Sequence, residues 1–210
     1  MQPDRLSAVQ APRSSILGAS MTDQPLDPSM FRSPAVMLSG PVDYDMYARF
    51  REQLAAAPDE GLVVIELSTL GGDPEVARMM GEDVRFHSDL EPGKRRFVFL
   101  GKAAIYSAGT TFMSFFARDN RYLTRGTRLM VHERKMSKEL SIEGPLTTCI
   151  ATVEATLNEI RASIAIQNEG FENLVRDSLV TVDEVLEKAP ANWYIEAKDA
   201  KELGLVAEVI

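Results

Sequence analysis

The chain has 210 residues, of which 45% are hydrophobic and 26% are charged, and its formal net charge is −8. This composition is typical of one globular domain with a sizeable core. The acidic balance argues against a nucleic-acid partner or an anionic membrane surface. With two histidines, one cysteine (Cys149) and no cluster of either, the sequence predicts neither a metal site nor a bound cofactor.

The first thirty residues contain four prolines among polar side chains. They lack the continuous apolar stretch of a secretory signal, and no run in the chain approaches the roughly 18 apolar residues that span a bilayer. We therefore predict a flexible tail over 1–32, with Met21 or Met30 as an alternative start, and a single domain over 33–210. One unpaired cysteine fits a reducing compartment, so the predicted location is cytoplasmic.

Segments with strand and helix spacing alternate from residue 35 onward. The predicted strands are 35–40, 62–67, 96–100 and 128–131, with a turn or short strand at 121–126. The predicted helices are 44–57, 75–87 and 111–118. Such alternation favours an α/β fold with a largely parallel sheet, in which functional sites lie at the carboxyl ends of the strands.

A long helix is predicted over 146–166, where apolar residues recur every three or four positions: Ile150, Val153, Leu157, Ile160 and Ile164. Core packing and subunit association explain this stripe equally well. We expect the helix to end at 168–170 and two shorter helices to follow at 172–179 and 181–188. The C-terminal segment predicts a helix stopped by Gly204 and then a short strand.

Ser107 is the most informative residue of the chain. The apolar strand 97–100 and a glycine precede it, and the helix predicted at 111–118 follows. A hydroxyl at a helix N-terminus lies near free N–H groups and the positive end of the helix dipole, which favour developing negative charge. This is the arrangement that a serine nucleophile needs, although a serine among small residues can also simply cap a helix.

Two other strand ends could supply the partners of Ser107. The strand 129–131 ends in His132, a candidate base, and the strand 62–67 leads into Gly71 and Gly72. Paired glycines allow backbone N–H groups to approach a ligand closely, because no Cβ intervenes. Each feature alone has a structural explanation. Together, the three strand ends could provide a nucleophile, a base and an oxyanion hole.

Several segments, taken in order, resemble the proteolytic subunit of the Clp protease, a family of self-compartmentalised serine peptidases with a crotonase-like fold. The resemblance covers residues 35–210 and rests on the following segments: the opening strand 36–40, the Ser-Thr-Leu-Gly-Gly turn at 68–72, the nucleophile segment 103–109, the strand 129–132 and the C-terminal segment 195–206.

The resemblance implies an α/β, crotonase-like (Clp protease-like) fold of repeated strand–helix units with a long protruding handle helix at 146–166. It implies that Ser107 attacks a peptide carbonyl, that His132 is the base, and that the N–H groups of Gly71 and Ala108 form the oxyanion hole. The implied substrate is a peptide or unfolded protein, and the implied assembly is a homo-oligomer of stacked rings. An ATPase unfoldase is left open as a partner.

The chain departs from the family pattern at two positions. Leu70 replaces the proline of the glycine turn, and Asn192 stands where the family has its third catalytic residue, an aspartate. An asparagine can orient an imidazole but cannot offer an imidazolium a full negative charge. Three alternatives stay open: Asn192 completes the site, Asp177 or Asp183 does so, or Asn192 merely turns the chain.

Three other functions are compatible with the same residues. Because of Asn192, the chain could be a weakly active or inactive structural subunit of a mixed Clp-like ring. An acyl-CoA enzyme of the wider crotonase group would use the segment 71–73 and the turn at Ala108 as an oxyanion hole, but would have no need of Ser107. A Ser-Lys peptidase using Lys102 is disfavoured, because His132 would then have no role.

Overall fold

Seven strands and six α-helices alternate along residues 26–210, the part of the chain that this computed structural model describes. The strands are β1 (Val36–Ser39), β2 (Gly61–Thr69), β3 (Arg95–Tyr106), β4 (Arg121–Leu123), β5 (Arg128–Val131), β6 (Trp193–Glu196) and β7 (Glu208–Val209). The helices are α1 (Tyr44–Ala56), α2 (Pro74–Leu90), α3 (Ala108–Met113), α4 (Leu146–Val175), α5 (Val182–Lys188) and α6 (Ala197–Glu202).

All strands belong to one sheet, which is parallel except for the pairing of β5 with β6. The order β1-β2-β3-β4-β7 forms the main path, and β5 and β6 continue from β3. The predicted α/β fold with a largely parallel sheet is therefore confirmed. Because the parallel strands run in the same direction, the ends of β2, β3 and β5 lie at the same edge of the sheet.

β3 is longer than predicted and changes partners along its length. Residues 99–101 pair with β4, whereas residues 104–106 pair with β5. Between them lies Ala103, with a φ of 58°, in the region where the register to β2 also shifts. The sequence predicted an end at Leu100, but β5 provides a second partner that extends the strand to Tyr106.

The sheet has a large core on one face and a small one on the other. Apolar residues of α1 at a helical spacing, Met46, Phe50 and Leu54, pack into the large core together with residues of β2 and α2. The small core contains Val64, Val98, Leu100, Tyr122 and Phe31. β2 contributes alternate residues to the two cores, as the pleat of a strand requires.

The sequence predicted that the domain begins at Ser33, but packed structure begins before that residue. Residues Pro28–Phe31 form a 3₁₀ turn, and the buried Phe31 ring lies 4.8 Å from that of Tyr122, measured between centroids. The other part of the predicted tail, 1–25, lies outside the described residues.

The predicted end of the long helix at 168–170 is wrong. α4 is 30 residues long and ends at Val175, so the separate helix expected at 172–179 does not form. A mid-helix glycine such as Gly170 costs about 1 kcal/mol. Burial of Phe171, Leu174 and Val175 in the large core outweighs that cost.

The apolar stripe of α4 does not pack into the core. Ile150, Val153, Leu157, Ile160 and Ile164 are between 38% and 59% exposed. Of the two explanations that the sequence left open, core packing is thus excluded within this chain. Exposed apolar stripes of this length are typical of surfaces that associate.

Arg121 is a buried arginine that joins three parts of the chain. Its guanidinium donates hydrogen bonds to five backbone carbonyls, those of Ser114, Phe116, Asn173, Leu174 and Leu205. Asn173 and Leu174 lie in the last turn of α4, whose carbonyls have no partner within the helix. Burial lowers the pKa of Arg121 to about 10, so the side chain stays charged at neutral pH. Arg121 therefore fixes the end of α4 next to the end of α3.

We expect Arg121→Met to reduce the free energy of unfolding by about 3 kcal/mol or more, because several buried carbonyls lose their donor. Urea unfolding followed by circular dichroism measures this change. The control is Arg128→Met, which removes a half-exposed ion pair with Glu196 and should cost far less. Equal losses in the two variants would contradict the role of Arg121.

Candidate active site

Ser107 lies directly between β3 and α3 in a strained backbone conformation. Its φ and ψ of 54° and −112° are rarely adopted by residues other than glycine. The surrounding backbone holds it there: the Ser107 N–H donates to the Met130 carbonyl at 2.8 Å, and its carbonyl accepts from the N–H of Thr110 at 2.9 Å. Strain of this kind persists where neighbouring bonds fix the chain, and it is found most often at functional sites.

The structure brings Ser107 and His132 together, as the strand ends predicted. Tyr106 of β3 pairs with Met130 of β5. Ser107 and His132, which follow these two strands, therefore lie beside each other. The distance between Ser107 Oγ and His132 Nε2 is 2.7 Å. Both residues are partly buried, which leaves the hydroxyl accessible to a substrate.

The second ring nitrogen of His132 determines which way the proton can move. His132 Nδ1 lies 2.5 Å from the backbone carbonyl oxygen of Glu133. A carbonyl only accepts, so Nδ1 carries the hydrogen, and Nε2 of the neutral ring is then free to accept from the Ser107 hydroxyl. This is the tautomer that a general base for Ser107 requires.

Asn192 forms no hydrogen bond with His132 in the described part of the chain. It lies one residue beyond the last pair of β5 and β6, opposite the His132 end, with a φ of 59° and an exposed side chain. Its backbone N–H donates to the Ala189 carbonyl, and no hydrogen bond of its side chain is found in residues 26–210. The Glu133 carbonyl, not Asn192, accepts the hydrogen bond from His132 Nδ1–H.

The two aspartates offered as alternatives do not bond to His132 either. Asp177 is exposed in the turn that follows α4, with a φ of 62°. Asp183 is exposed in the first turn of α5. Within the described chain, His132 therefore has a backbone partner rather than a carboxylate.

The oxyanion-hole role of the Gly71 N–H stays a prediction, and in this structure that N–H donates to Thr69 Oγ1 at 3.0 Å. No hydrogen bond in residues 26–210 uses the N–H of Gly72 or of Ala108, and both residues line the same cavity as Ser107. Gly72 and Ala108 are thus the available donors.

Both glycines of the turn are required by close packing. A Cβ at Gly71 would lie 2.9 Å from the Cβ of Ser107, and a Cβ at Gly72 would lie 2.3 Å from the Val42 carbonyl oxygen. Real Cβ atoms do not approach other atoms this closely, and both residues have positive φ. The turn can therefore lie against Ser107 only because it has no side chains here.

A cavity of about 450 Å³ opens beside Ser107 and His132. Its volume is within the range of sites that bind small ligands or single side chains. One wall is apolar and comes from α4 and the end of α3, with Phe115, Ile160, Ile164, Phe171 and Leu174. The rim is charged and includes Arg78, Glu133, Arg134, Lys135 and Glu169.

Two arginines of the rim share one carboxylate. Arg134 and Arg78 both bond to the carboxylate of Glu75 on α2, at 2.5 Å and 2.9 Å. Burial raises the pKa of Glu75, but the hydrogen bonds from Arg134 and Arg78 together lower it by more. The pKa of Glu75 is therefore below its usual range. Glu75 is therefore ionised at neutral pH and holds the segment that follows His132.

Comparison with known proteins identifies the fold. The structure is similar to that of ClpP1 from Listeria monocytogenes, solved as an asparagine-to-aspartate mutant, with a TM-score of 0.66 and 16% sequence identity over 83% of this chain and 90% of the ClpP1 chain. No family model and no curated protein matches the sequence. The predicted Clp protease-like, crotonase-like fold is thus confirmed, and at this identity the likeness concerns the fold alone.

Two further features concern only residues 26–210. None of the helices in that range is both long and apolar enough to cross a membrane. In the same range, histidine, cysteine, aspartate and glutamate side chains do not form any group of three or more that could hold a metal ion.

We expect Asn192→Gly to leave the reactivity of Ser107 within about twofold of wild type, because glycine keeps the positive φ and only an unbonded side chain is lost. The rate of reaction with a fluorophosphonate, followed by intact mass, measures this. Asn192→Asp provides the comparison at the same position. A tenfold lower rate of reaction in Asn192→Gly would show that the Asn192 side chain takes part in catalysis.

Proposed function

We propose that this chain is a serine endopeptidase that hydrolyses peptide bonds through an acyl-enzyme on Ser107. The observation that carries the proposal is the 2.7 Å contact between Ser107 Oγ and His132 Nε2, with the tautomer of His132 fixed by the Glu133 carbonyl. A nucleophile, a base and a group that orients the base are the three components of this chemistry.

The geometry supports the following steps. Ser107 Oγ attacks the peptide carbonyl while its proton passes to His132 Nε2, and the oxyanion that forms accepts from the N–H groups of Gly72 and Ala108. His132 then gives the proton to the leaving amine. In the second half, a water gives its proton to His132 and attacks the ester, and Ser107 regains its hydrogen as the acid product leaves.

The partner of His132 sets an expectation for the rate. The Glu133 carbonyl orients the ring correctly, but it is neutral and stabilises the imidazolium less than a carboxylate would. Turnover should therefore be slower than in peptidases with a full Ser-His-Asp triad. The apolar wall of the cavity favours unfolded peptides with an apolar side chain next to the cleaved bond.

A second candidate function is a structural subunit of a mixed Clp-like ring with little activity. It is favoured by one observation, namely that no carboxylate bonds to His132 in the described residues. The acyl-CoA alternative is weaker, because it would have no need of the contact between Ser107 and His132.

We further propose that the exposed apolar surface of the handle associates with another copy of the chain, in stacked rings as the resemblance implies. We call this surface the handle face. It comprises Leu140 and Ile142 of the segment before α4 together with Leu146, Ile150, Val153 and Leu157 of α4, all exposed. An ATPase partner and a cytoplasmic location stay predictions from the sequence.

We expect wild-type protein to take up a single fluorophosphonate adduct and Ser107→Ala to take up none, with peptide hydrolysis reduced by a factor of about 10³ or more. Intact mass and a fluorogenic peptide assay measure these changes. Ser163→Ala, in the same cavity, is the control and should keep the adduct. If wild type takes up no adduct, the structural-subunit function replaces the peptidase.

We expect Leu157→Glu to lower the molecular mass of the assembly, because a charge within the handle face cannot be buried between copies. Sedimentation velocity measures the mass. Ala162→Glu adds the same charge to α4 at an exposed position outside the apolar stripe, and should leave the mass unchanged. An unchanged mass in Leu157→Glu would place the contact elsewhere.

A further inference from the structure

The peptide unit between Glu133 and Arg134 is bonded at both ends. Its carbonyl oxygen accepts from His132 Nδ1–H at 2.5 Å. Its N–H donates to the side-chain oxygen Oε1 of Gln167 at 2.7 Å. Gln167 lies on α4, far from His132 in sequence, and is partly buried against the cavity.

We propose that Gln167 is a positioning residue of the Ser107 site, which acts by fixing the peptide unit that orients His132. This proposal rests on the proposed function. Three hydrogen bonds in series connect Gln167 to Ser107. They run from Arg134 N–H to Gln167, from His132 Nδ1–H to Glu133, and from Ser107 Oγ–H to His132 Nε2.

The peptide needs such support because of where it lies. Residues 132–143 have no regular secondary structure, so no strand or helix hydrogen bonds determine the direction of the Glu133 carbonyl. A peptide unit is planar, and its carbonyl and N–H point in opposite directions. A bond to the N–H therefore also fixes the direction of the carbonyl on the other side.

The bond to Gln167 also makes the carbonyl a better acceptor. Hydrogen bonds in series polarise one another, so an N–H that donates increases the negative charge on the oxygen of the same peptide unit. In a site where that oxygen takes the place of a carboxylate, such an increase assists formation of the imidazolium. Gln167 thus influences both the orientation of the His132 ring and the strength of the Glu133 carbonyl as an acceptor.

The side chain of Arg134 gives the same peptide a second attachment. Its guanidinium pairs with Glu75 on α2 at 2.5 Å, and the Arg134 side chain as a whole is only 19% exposed. Glu75 and Gln167 hold Arg134 from two different helices. Of the two contacts, that of Gln167 is made directly to the peptide unit and can be removed without leaving an unpaired charge.

The chemistry of the contact determines the test. A backbone N–H can only donate, so residue 167 must present an acceptor. Gln167→Met keeps the length of the side chain and removes the acceptor, whereas Gln167→Glu keeps the acceptor. Arg161→Met, at an exposed position of α4 that does not line the cavity, is the matched control.

In the full-length protein we would measure kcat and KM for a fluorogenic peptide and the rate of reaction with a fluorophosphonate. We expect Gln167→Met to lower kcat and the fluorophosphonate rate by about five- to tenfold with KM within about twofold, since one hydrogen bond to a positioning group is lost. Gln167→Glu and Arg161→Met should stay within about twofold of wild type in both rates.

A spectroscopic measurement separates positioning from a merely structural effect. The chain has only two histidines, so ¹⁵N-histidine labelling gives two sets of imidazole signals. His87 Nδ1 faces the Arg95 guanidinium at 2.9 Å and must accept, so its proton is on Nε2. We expect a Nδ1–H signal from His132 in wild type that moves or broadens in Gln167→Met, while the His87 signals stay in place.

The outcomes distinguish the two proposals. If wild type reacts with the fluorophosphonate but Gln167→Met matches it in rate and in the His132 signal, the role of Gln167 is overturned and the peptidase stands. A change in KM alone would make Gln167 a substrate contact and also overturn it. If wild type does not react, the peptidase fails, and the His132 signal alone decides whether Gln167 positions the ring.

Discussion

The site depends on the pairing of the last residues of β3 with β5. Ser107 and His132 each follow one of these strands, and the pair Tyr106–Met130 sets them side by side. The change of partner near Ala103 makes this pairing possible, because β3 leaves β4 there and turns to β5. Without that change β3 would end sooner, and the serine would have no base within reach.

Around this pair, the structure uses neutral backbone groups where charged side chains are common. The Glu133 carbonyl orients the base, two residues with unbonded N–H groups line the cavity, and Arg121, beside the end of α4, donates to five carbonyls. Backbone groups are fixed by the fold and cannot change rotamer. Their weakness is electrostatic, since a carbonyl attracts an imidazolium less strongly than a carboxylate does.

Much of the fold and the central pair of the site could be predicted from the sequence, because both depend on hydrophobic spacing and on which residues follow strands. Other features depend on contacts that leave no pattern. Whether Gly71 or Gly72 has a free N–H depends on the hydroxyl of Thr69, and a backbone carbonyl such as that of Glu133 has no sequence signature. The sequence did not predict the full length of α4, because burial of the apolar side chains at its end outweighs the low helix propensity of Gly170.

The backbone of Ser107 has a consequence for the balance between stability and activity. Its φ of 54° is unfavourable for any residue with a Cβ, by about 1–3 kcal/mol. Alanine at this position would keep the strain and remove the hydroxyl, whereas glycine would relieve the strain. The most stable form of this fold is therefore one without a nucleophile, and a serine retained at position 107 lowers stability in exchange for reactivity.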